Sequence, residues 1–383
     1  MLPEFISFIR DYYQRPEGPI PLHESLIGET EQLAMRDCLE SGIISSVGPQ
    51  VEDFEQQIGK LTTCKFAVAT NSGTAALHLA LLASGVQKDD LVITQPFSFV
   101  ASANAISYTG ASPLFLDISR KSLGLSADQL ADFLHSQSEL RQDGCSWHKK
   151  TGRRIAACLP VYSFGHPPAM EEIAAICQEH HIILIEDAAE ALGSTCKGHS
   201  PGHWGKVAIL SFNGNKIISC GGGGMLLTHD AALARQALHL SQQARVLRGK
   251  QIAYDQVGYN YRMPNLNASL GLAQLSSLEE RKAALRMQQR AYQQFFAGYD
   301  LPLISEAAGT HANYWLHAVA FPEKQQRDEF VAMTQQEGIL TRPGWALLSD
   351  MPMFSKCTKA PLPNARWASD HLALLPSSFR QWK

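Results

Sequence analysis

The sequence predicts an α/β protein. A large domain would carry a mostly parallel, seven-stranded sheet flanked by helices, and a smaller α+β domain would follow it. Three observations predict this. Strand and helix patterns alternate from about residue 64 to residue 230. Segments 154–161 and 182–186 are near-continuous apolar runs, as in strands covered on both faces. The pattern changes after Arg262, which divides the chain into residues 1–262 and 263–383, with segment 1–25 expected to pack on the smaller domain.

The elements follow in order. Phe66-Ala67-Val68-Ala69 reads as the first strand, and Thr74 to Ala83 as a helix with Gly85 as its C-cap. Leu91-Val92-Ile93-Thr94 is the second strand, Ser98 to Tyr108 the second helix, and Pro113 to Asp117 the third strand. Ser126 and Gln129 form a capping box for a helix reaching about His135. Residues 137–154 are polar and interrupt the rhythm as an inserted loop or hairpin. Arg154 to Val161 and Ile182 to Glu186 are strands joined by a helix from Met170 to His180. Val207 to Phe212 and Met225 to Thr228 complete the sheet. Beyond Arg262, Asn267 to Phe296 reads as one long amphipathic helix. A strand (Tyr314 to Phe321), a helix (Arg327 to Glu337) and a loop-rich end follow.

Composition excludes several classes of function. The 383 residues carry 33 Lys plus Arg against 36 Asp plus Glu, so no broad surface attracts nucleic acid or an anionic membrane. No apolar run approaches the roughly 20 residues of a membrane helix. The N-terminus lacks the basic-then-apolar layout of a secretory signal. Eight scattered cysteines, with no Cys-x-x-Cys pair, read as reduced thiols, so a cytoplasmic location is expected. His180-His181 and the pair His199 and His203 lack a third ligand at metal spacing, so no metal is expected.

The chemistry concentrates in a few motifs. Ile185-Glu186-Asp187 ends an apolar run, and 29 residues after Asp187 stands Lys216, in the turn Asn213-Gly214-Asn215-Lys216. A lysine among Asn and Gly is most often a solvated surface residue. Here it keeps company with the other parts of a pyridoxal phosphate (PLP) site. Asp187 would hold the pyridine nitrogen protonated, and so keep the ring an electron sink. Lys216 would bond the aldehyde and, once freed, move protons at the amino carbon. Asn71-Ser72-Gly73-Thr74 lies where a strand turns into a helix, and a helix N-terminus suits a phosphate. Ser211 would add a hydroxyl, and Asn213 is counted with the cofactor-binding residues. Phe99, opening the next helix, would lie on the ring. Gly221 to Gly224 open no helix and so do not make a dinucleotide loop.

Together these residues resemble the DegT-type sugar aminotransferases, PLP enzymes of the aspartate-aminotransferase fold (fold type I). The likeness runs from Ser45 to Pro49 and Phe54-Glu55, through Asn71 to His78, Asp187 to Glu190 and Ser211 to Lys216, to Gly258 to Met263. It implies that Lys216 is the Schiff-base lysine and Asp187 the partner of the pyridine nitrogen. It implies that Gly73, Thr74 and Ser211 bind the phosphate and that Phe99 stacks on the ring. Asn260 matches a residue that reaches the phosphate of the neighbouring subunit's PLP, which implies a homodimer with shared active sites. Finer features are the insertion ending in Lys149 to Arg154, Thr341 to Trp345 and Leu374 to Ser378. These resemble enzymes that aminate C4 of a nucleotide-linked 4-keto-6-deoxy-hexosamine, UDP- or GDP-linked, for bacterial surface glycans, with C3 amination as the alternative. The amino donor would be L-glutamate, leaving pyridoxamine phosphate between the two half-reactions.

The chain departs from the family pattern at Glu190, where Gln or His is frequent near the cofactor's phenolic oxygen. A carboxylate there must be protonated or bonded elsewhere. Cys220 replaces a common threonine, and Tyr162-Ser163 replaces His-Leu or His-Val. Tyr162 and Arg342 are candidates for binding the substrate, and the Lys149–Arg154 cluster for binding its diphosphate. Two rival functions are weighed. A PLP-dependent sugar dehydratase replaces the lysine with histidine, and Lys216 argues against that. A non-catalytic PLP-binding protein would show a missing lysine or an added DNA-binding domain, and the sequence shows neither.

Overall fold

The computed structural model describes residues 1–379. Its centre is an eight-stranded sheet. Across the sheet the strands are Phe66–Thr70, Gly224–Thr228, Val207–Ser211, Ile183–Asp187, Ile155–Leu159, Leu91–Thr94, Ser112–Phe115 and Thr358–Lys359. Gly224–Thr228 is antiparallel to both neighbours. The remaining pairings are parallel. Seven of these strands are those read from the sequence. The eighth is a two-residue edge strand from far down the chain, in register with Leu114 and Phe115. A pairing so short leaves no periodic signal.

Both faces of the sheet are covered, which is why its strands are apolar without alternation. One face packs Ile93, Leu114, Cys158, Leu184 and Leu210 against Phe54, Ile58 and Leu285. The other packs Val92, Leu159, Ile185 and Ile209 against the helix Gly73–Ala83, whose Ala and Leu residues are buried almost all round. The parallel strands therefore end together at one edge, and their C-terminal residues include Asp187 and Ser211.

Three expectations change in detail, and the alternative left open over residues 137–154 is decided. The helix expected from Ser98 begins at Ala101, because residues 96–98 form bends first. The long helix expected from Asn267 is two, Asn265–Leu275 and Leu278–Ala297. Ser276 and Ser277 separate them by bonding back to the carbonyls of Ala273 and Gln274, in competition with the helix ladder. Residues 137–154 hold a hairpin, Ser138–Leu140 paired with Ser146–His148. The tail is more ordered than expected: Leu372–Leu375 is the middle strand of a small antiparallel sheet between His317–Ala320 and Arg342–Pro343.

The N-terminal helix Leu2–Tyr13 packs on elements that follow residue 262, with the Phe5 ring 5.0 Å from Phe330 and 5.5 Å from Phe296. Among the described residues no helix is long and apolar enough to cross a membrane. Phe54, in the helix Pro49–Thr62, packs edge-on against Phe212 at 4.9 Å, just ahead of the Lys216 turn. Phe54→Ala is expected to lower stability by about 3–5 kcal/mol. Urea denaturation checks this; a loss under about 1 kcal/mol would mean that the core closes over the gap.

Candidate active site

Asp187 is the last residue of its strand, and its side chain is only 3% exposed. The Ser102 hydroxyl donates to its Oδ2 at 2.7 Å, and the Ala189 N–H donates to Oδ1 at 3.3 Å. Burial pushes the carboxyl above its ordinary range. The two hydrogen bonds and the positive charge of Lys216 pull it back only in part. Lys216 and Asp187 thus share one electrostatic neighbourhood, as the chemistry read from the sequence requires. Ser102 was not among the expected site residues. It lies one helical turn after Ser98, whose hydroxyl it meets at 3.1 Å. On the same turn Phe99 is 59% exposed although Phe97 and Ser98 beside it are buried.

The strand Phe66–Thr70 runs into the helix Gly73–Ala83 through Asn71 and Ser72. Ser72 caps the helix, its Oγ accepting from the Ala75 N–H at 3.1 Å. The first N–H groups of a helix have no partner within it and suit an anion. Gly73 is required here by close approach: an added Cβ would stand 2.8 Å from the Ser211 Cβ. Gly224 is under the same constraint from the other side, since its Cβ would meet the Ser72 carbonyl oxygen at 2.5 Å. Ser72, Gly73 and Ser211 therefore come together, with Thr74 partly buried beside them. Asn213 is exposed, and its N–H lies 3.4 Å from Ser211 Oγ.

Lys216 closes a turn on the Asn213 carbonyl. Its Nζ lies 3.3 Å from Glu190 Oε1 and 3.8 Å from the centre of the Trp315 ring. Glu190 Oε2 accepts the Phe164 N–H at 2.8 Å, and Phe164 holds a left-handed φ of 58°. The Glu190 carboxyl is pushed up by burial and by Asp187, and pulled back by Lys216 and Phe164. Both oxygens of Glu190 are thus engaged, one by the Phe164 N–H and one by the Lys216 amine. Trp315 escaped the sequence reading because 314–321 looked like one strand. The strand begins only at His317, and Tyr314, at φ 54°, turns the chain so that the Trp315 ring faces the lysine.

Other candidates lie elsewhere. Tyr162 is 1% exposed, and its hydroxyl donates to Glu186 within the core. Glu186 also accepts the N–H groups of Gly202, Trp204 and Gly205. The hydroxyl of Tyr162 is thus committed to the core. The Lys149–Arg154 cluster lies at the wrong end of the sheet. Arg154 pairs with Asp90 at 2.5 Å, and Arg153 bonds the Asp90 carbonyl and Ser112, beside the N-terminal ends of the parallel strands. A strand length of about 13 Å separates that edge from the Asp187 edge. Arg342 is exposed on the small sheet opposite Leu374, and among the described residues no recorded contact joins it to Asp187 or Lys216. Asn260 is exposed, and its carbonyl accepts from Asn71 Nδ2 at 3.1 Å, beside its own chain's Ser72–Gly73 turn.

The residues present fit PLP. A buried carboxylate short of positive charge, an amine within its electrostatic reach, an exposed aromatic face and a glycine-permitted helix N-terminus ringed by hydroxyls match the four parts of that cofactor: pyridine nitrogen, aldehyde, ring face and phosphate. Residues 25–380 match the family model described as the DegT/DnrJ/EryC1/StrS aminotransferase family. The GDP-perosamine synthase of Vibrio cholerae is 32% identical over 351 residues, covering 90% of this chain and 91% of that one. EpsN of Bacillus subtilis (strain 168), named as a pyridoxal phosphate-dependent aminotransferase, is 35% identical over 85% of this chain and 81% of its own. The crystal structure of the aminotransferase TlmJ from Streptoalloteichus hindustanus superposes with a TM-score of 0.83 at 28% identity, covering 94% of each chain.

Burial without a full counter-charge has a consequence for the cofactor-free protein. The folded state favours protonated Asp187, so this group's contribution to stability is full at low pH and is lost as pH rises through the raised value. Asp187→Asn is expected to stabilise the cofactor-free protein at neutral pH by on the order of 1 kcal/mol while PLP retention is lost. The advantage should vanish as the pH falls toward about 4. Urea titrations of both proteins at the two pH values check it, and equal stability at neutral pH would refute it.

Proposed function

We infer the reaction from one premise: this chain belongs to the DegT/DnrJ/EryC1/StrS aminotransferase family and is a PLP-dependent aminotransferase. We propose that it moves the amino group of L-glutamate to C4 of a nucleotide-linked 4-keto-6-deoxy-hexosamine, UDP- or GDP-linked, for a bacterial surface glycan. We place it in the cytoplasm as a homodimer, with Asn260 serving the neighbouring subunit's site. The observation that carries the reading is the part-buried Lys216 amine, 3.3 Å from Glu190 and near enough to buried Asp187 for its charge to act on that carboxyl. Likeness to GDP-perosamine synthases, whose name gives a nucleotide-linked amino sugar, supports the substrate class.

When bound, PLP supplies an electron sink next to the amino carbon and carries the amino group between donor and acceptor. The chain's own residues do the rest. Asp187 would set a negative charge toward the pyridine nitrogen, and Ser102 fixes the direction of that carboxylate. Ser72, Gly73, Thr74 and Ser211 would hold the phosphate with N–H groups and hydroxyls, helped by the helix dipole. Phe99 would offer its exposed face to the ring. Lys216 would take a proton from the amino carbon of glutamate in one half-reaction and deliver one to the sugar carbon in the other, which predicts ping-pong kinetics. Glu190 meets Lys216 with the oxygen that Phe164 does not hold.

Lys216→Ala is expected to lower transamination by at least about a thousand-fold and to remove the visible absorbance of the PLP-loaded protein. Purified wild-type protein given ¹⁵N-glutamate and a panel of 3-keto and 4-keto sugar nucleotides should place the label at C4 of a 4-keto substrate. Label at C3, or normal turnover by the lysine variant, would overturn the reading.

A further inference from the structure

The contacts of Lys216 form a built arrangement. Its amine meets one oxygen of Glu190 at 3.3 Å and the face of Trp315 at 3.8 Å from the ring centre. A cation is attracted to an aromatic face within about 6 Å, and Trp provides the strongest such face. The ring is held at two points. Its backbone N–H donates to Asn313 Oδ1 at 2.9 Å, and its indole Nε1–H donates to the Asn215 carbonyl at 2.6 Å. Asn215 immediately precedes the lysine. Asn313 donates in turn to the carbonyls of Glu190 and Leu192, at 2.8 and 3.0 Å. Carboxylate, ring and lysine turn are therefore tied into one closed circuit.

The surroundings complete the arrangement. His23 packs behind, its ring centre 6.4 Å from that of Trp315. Both its ring nitrogens are buried and lack a hydrogen-bond partner among the described residues. Burial and the charges of Lys216 and Arg281 push it down to about 3, so it stays neutral and adds no rival positive charge. The segment carrying His23 is fastened over the turn by the Ser25 hydroxyl, which donates to the Gly214 carbonyl.

We propose that Glu190 and the face of Trp315 form a seat for the Lys216 ammonium, which the side chain occupies whenever its amine is not bonded to the cofactor. This rests on the reading of Lys216 as the reactive amine. The seat keeps the freed amine within reach of the reacting carbon, and it is weak enough to release it, since it consists of one carboxylate oxygen and one ring face. Trp315 is then a positioning residue that acts through the lysine.

The test labels lysines in the cofactor-free protein with acetic anhydride and reads Lys216 by peptide mass spectrometry, with the exposed Lys88 as internal reference. Trp315→Leu is expected to raise the Lys216 labelling rate, relative to Lys88, by about five- to tenfold. Trp315→Phe, which keeps a ring face, should restore it to within about twofold of wild type. Glu190→Gln should raise it also. In turnover, Trp315→Leu should lower kcat about tenfold and leave KM for glutamate within about twofold. Unchanged labelling in Trp315→Leu would overturn the proposal. If circular dichroism shows that variant unfolded, unchanged labelling in Glu190→Gln overturns it instead. Added PLP should shield Lys216 in the wild type; if it does not, the assignment of the reactive lysine fails, an outcome distinct from failure of the seat.

Discussion

A carboxylate at the end of a buried strand loses its hydration and must find compensation inside the protein. Asp187 finds only part of it, in one hydroxyl, one backbone N–H and a nearby ammonium. The residual demand for positive charge gives the site its character, because a cationic group of a bound ligand would supply what the chain lacks. The sheet delivers the other parts to the same place. Parallel strands end at a common edge, so Ser211 and the turn after Thr70 arrive next to Asp187 without long excursions of chain. Two glycines then let backbone replace side chain where strand and helix terminus meet, at Gly73 and Gly224.

The lysine is governed by a second constraint, built from distant segments. Glu190 comes from the loop after the Asp187 strand, Trp315 from beyond residue 262, and the covering segment around His23 from near the N-terminus. Two non-glycine residues in left-handed conformation, Phe164 and Tyr314, turn their chains so that an N–H reaches Glu190 and a ring reaches Lys216. Such conformations cost free energy and are retained where the surroundings over-determine them. Here the surroundings are a closed circuit through Asn313 and Asn215. Among the described residues the His23 imidazole has no hydrogen-bond partner, and a protonated histidine in that place would oppose the Lys216 ammonium.

Much of this was legible without coordinates, for reasons that differ by residue. Lys216, Asp187 and Gly73 stand in short local motifs at the ends of strongly patterned elements, so their order along the chain places them at one sheet edge. Ser102 was hidden because a serine in an Ala-rich helix carries no signal until its partner across the sheet is known. Trp315 was hidden by an apolar run that imitates a strand. Tyr162 and Arg154 are engaged within the chain in a way that the sequence does not show. Tyr162 and Arg154 each have a private buried partner, Glu186 and Asp90, and a sequence does not reveal that a polar side chain is already satisfied.

Local and periodic features settled by themselves the alternation of strands and helices and the sheet edge at which Asp187 and Ser211 end their strands. Each depends on residues close together in the chain or on a repeat of apolar positions. The tertiary structure alone decided which polar groups remain free to act, where Glu190 directs its two oxygens, and that an indole faces the lysine. Those outcomes depend on contacts between separate segments, from 26 residues apart for Phe164 and Glu190 to 123 for Asn313 and Glu190, whose hydrogen bonds and burial no local pattern encodes.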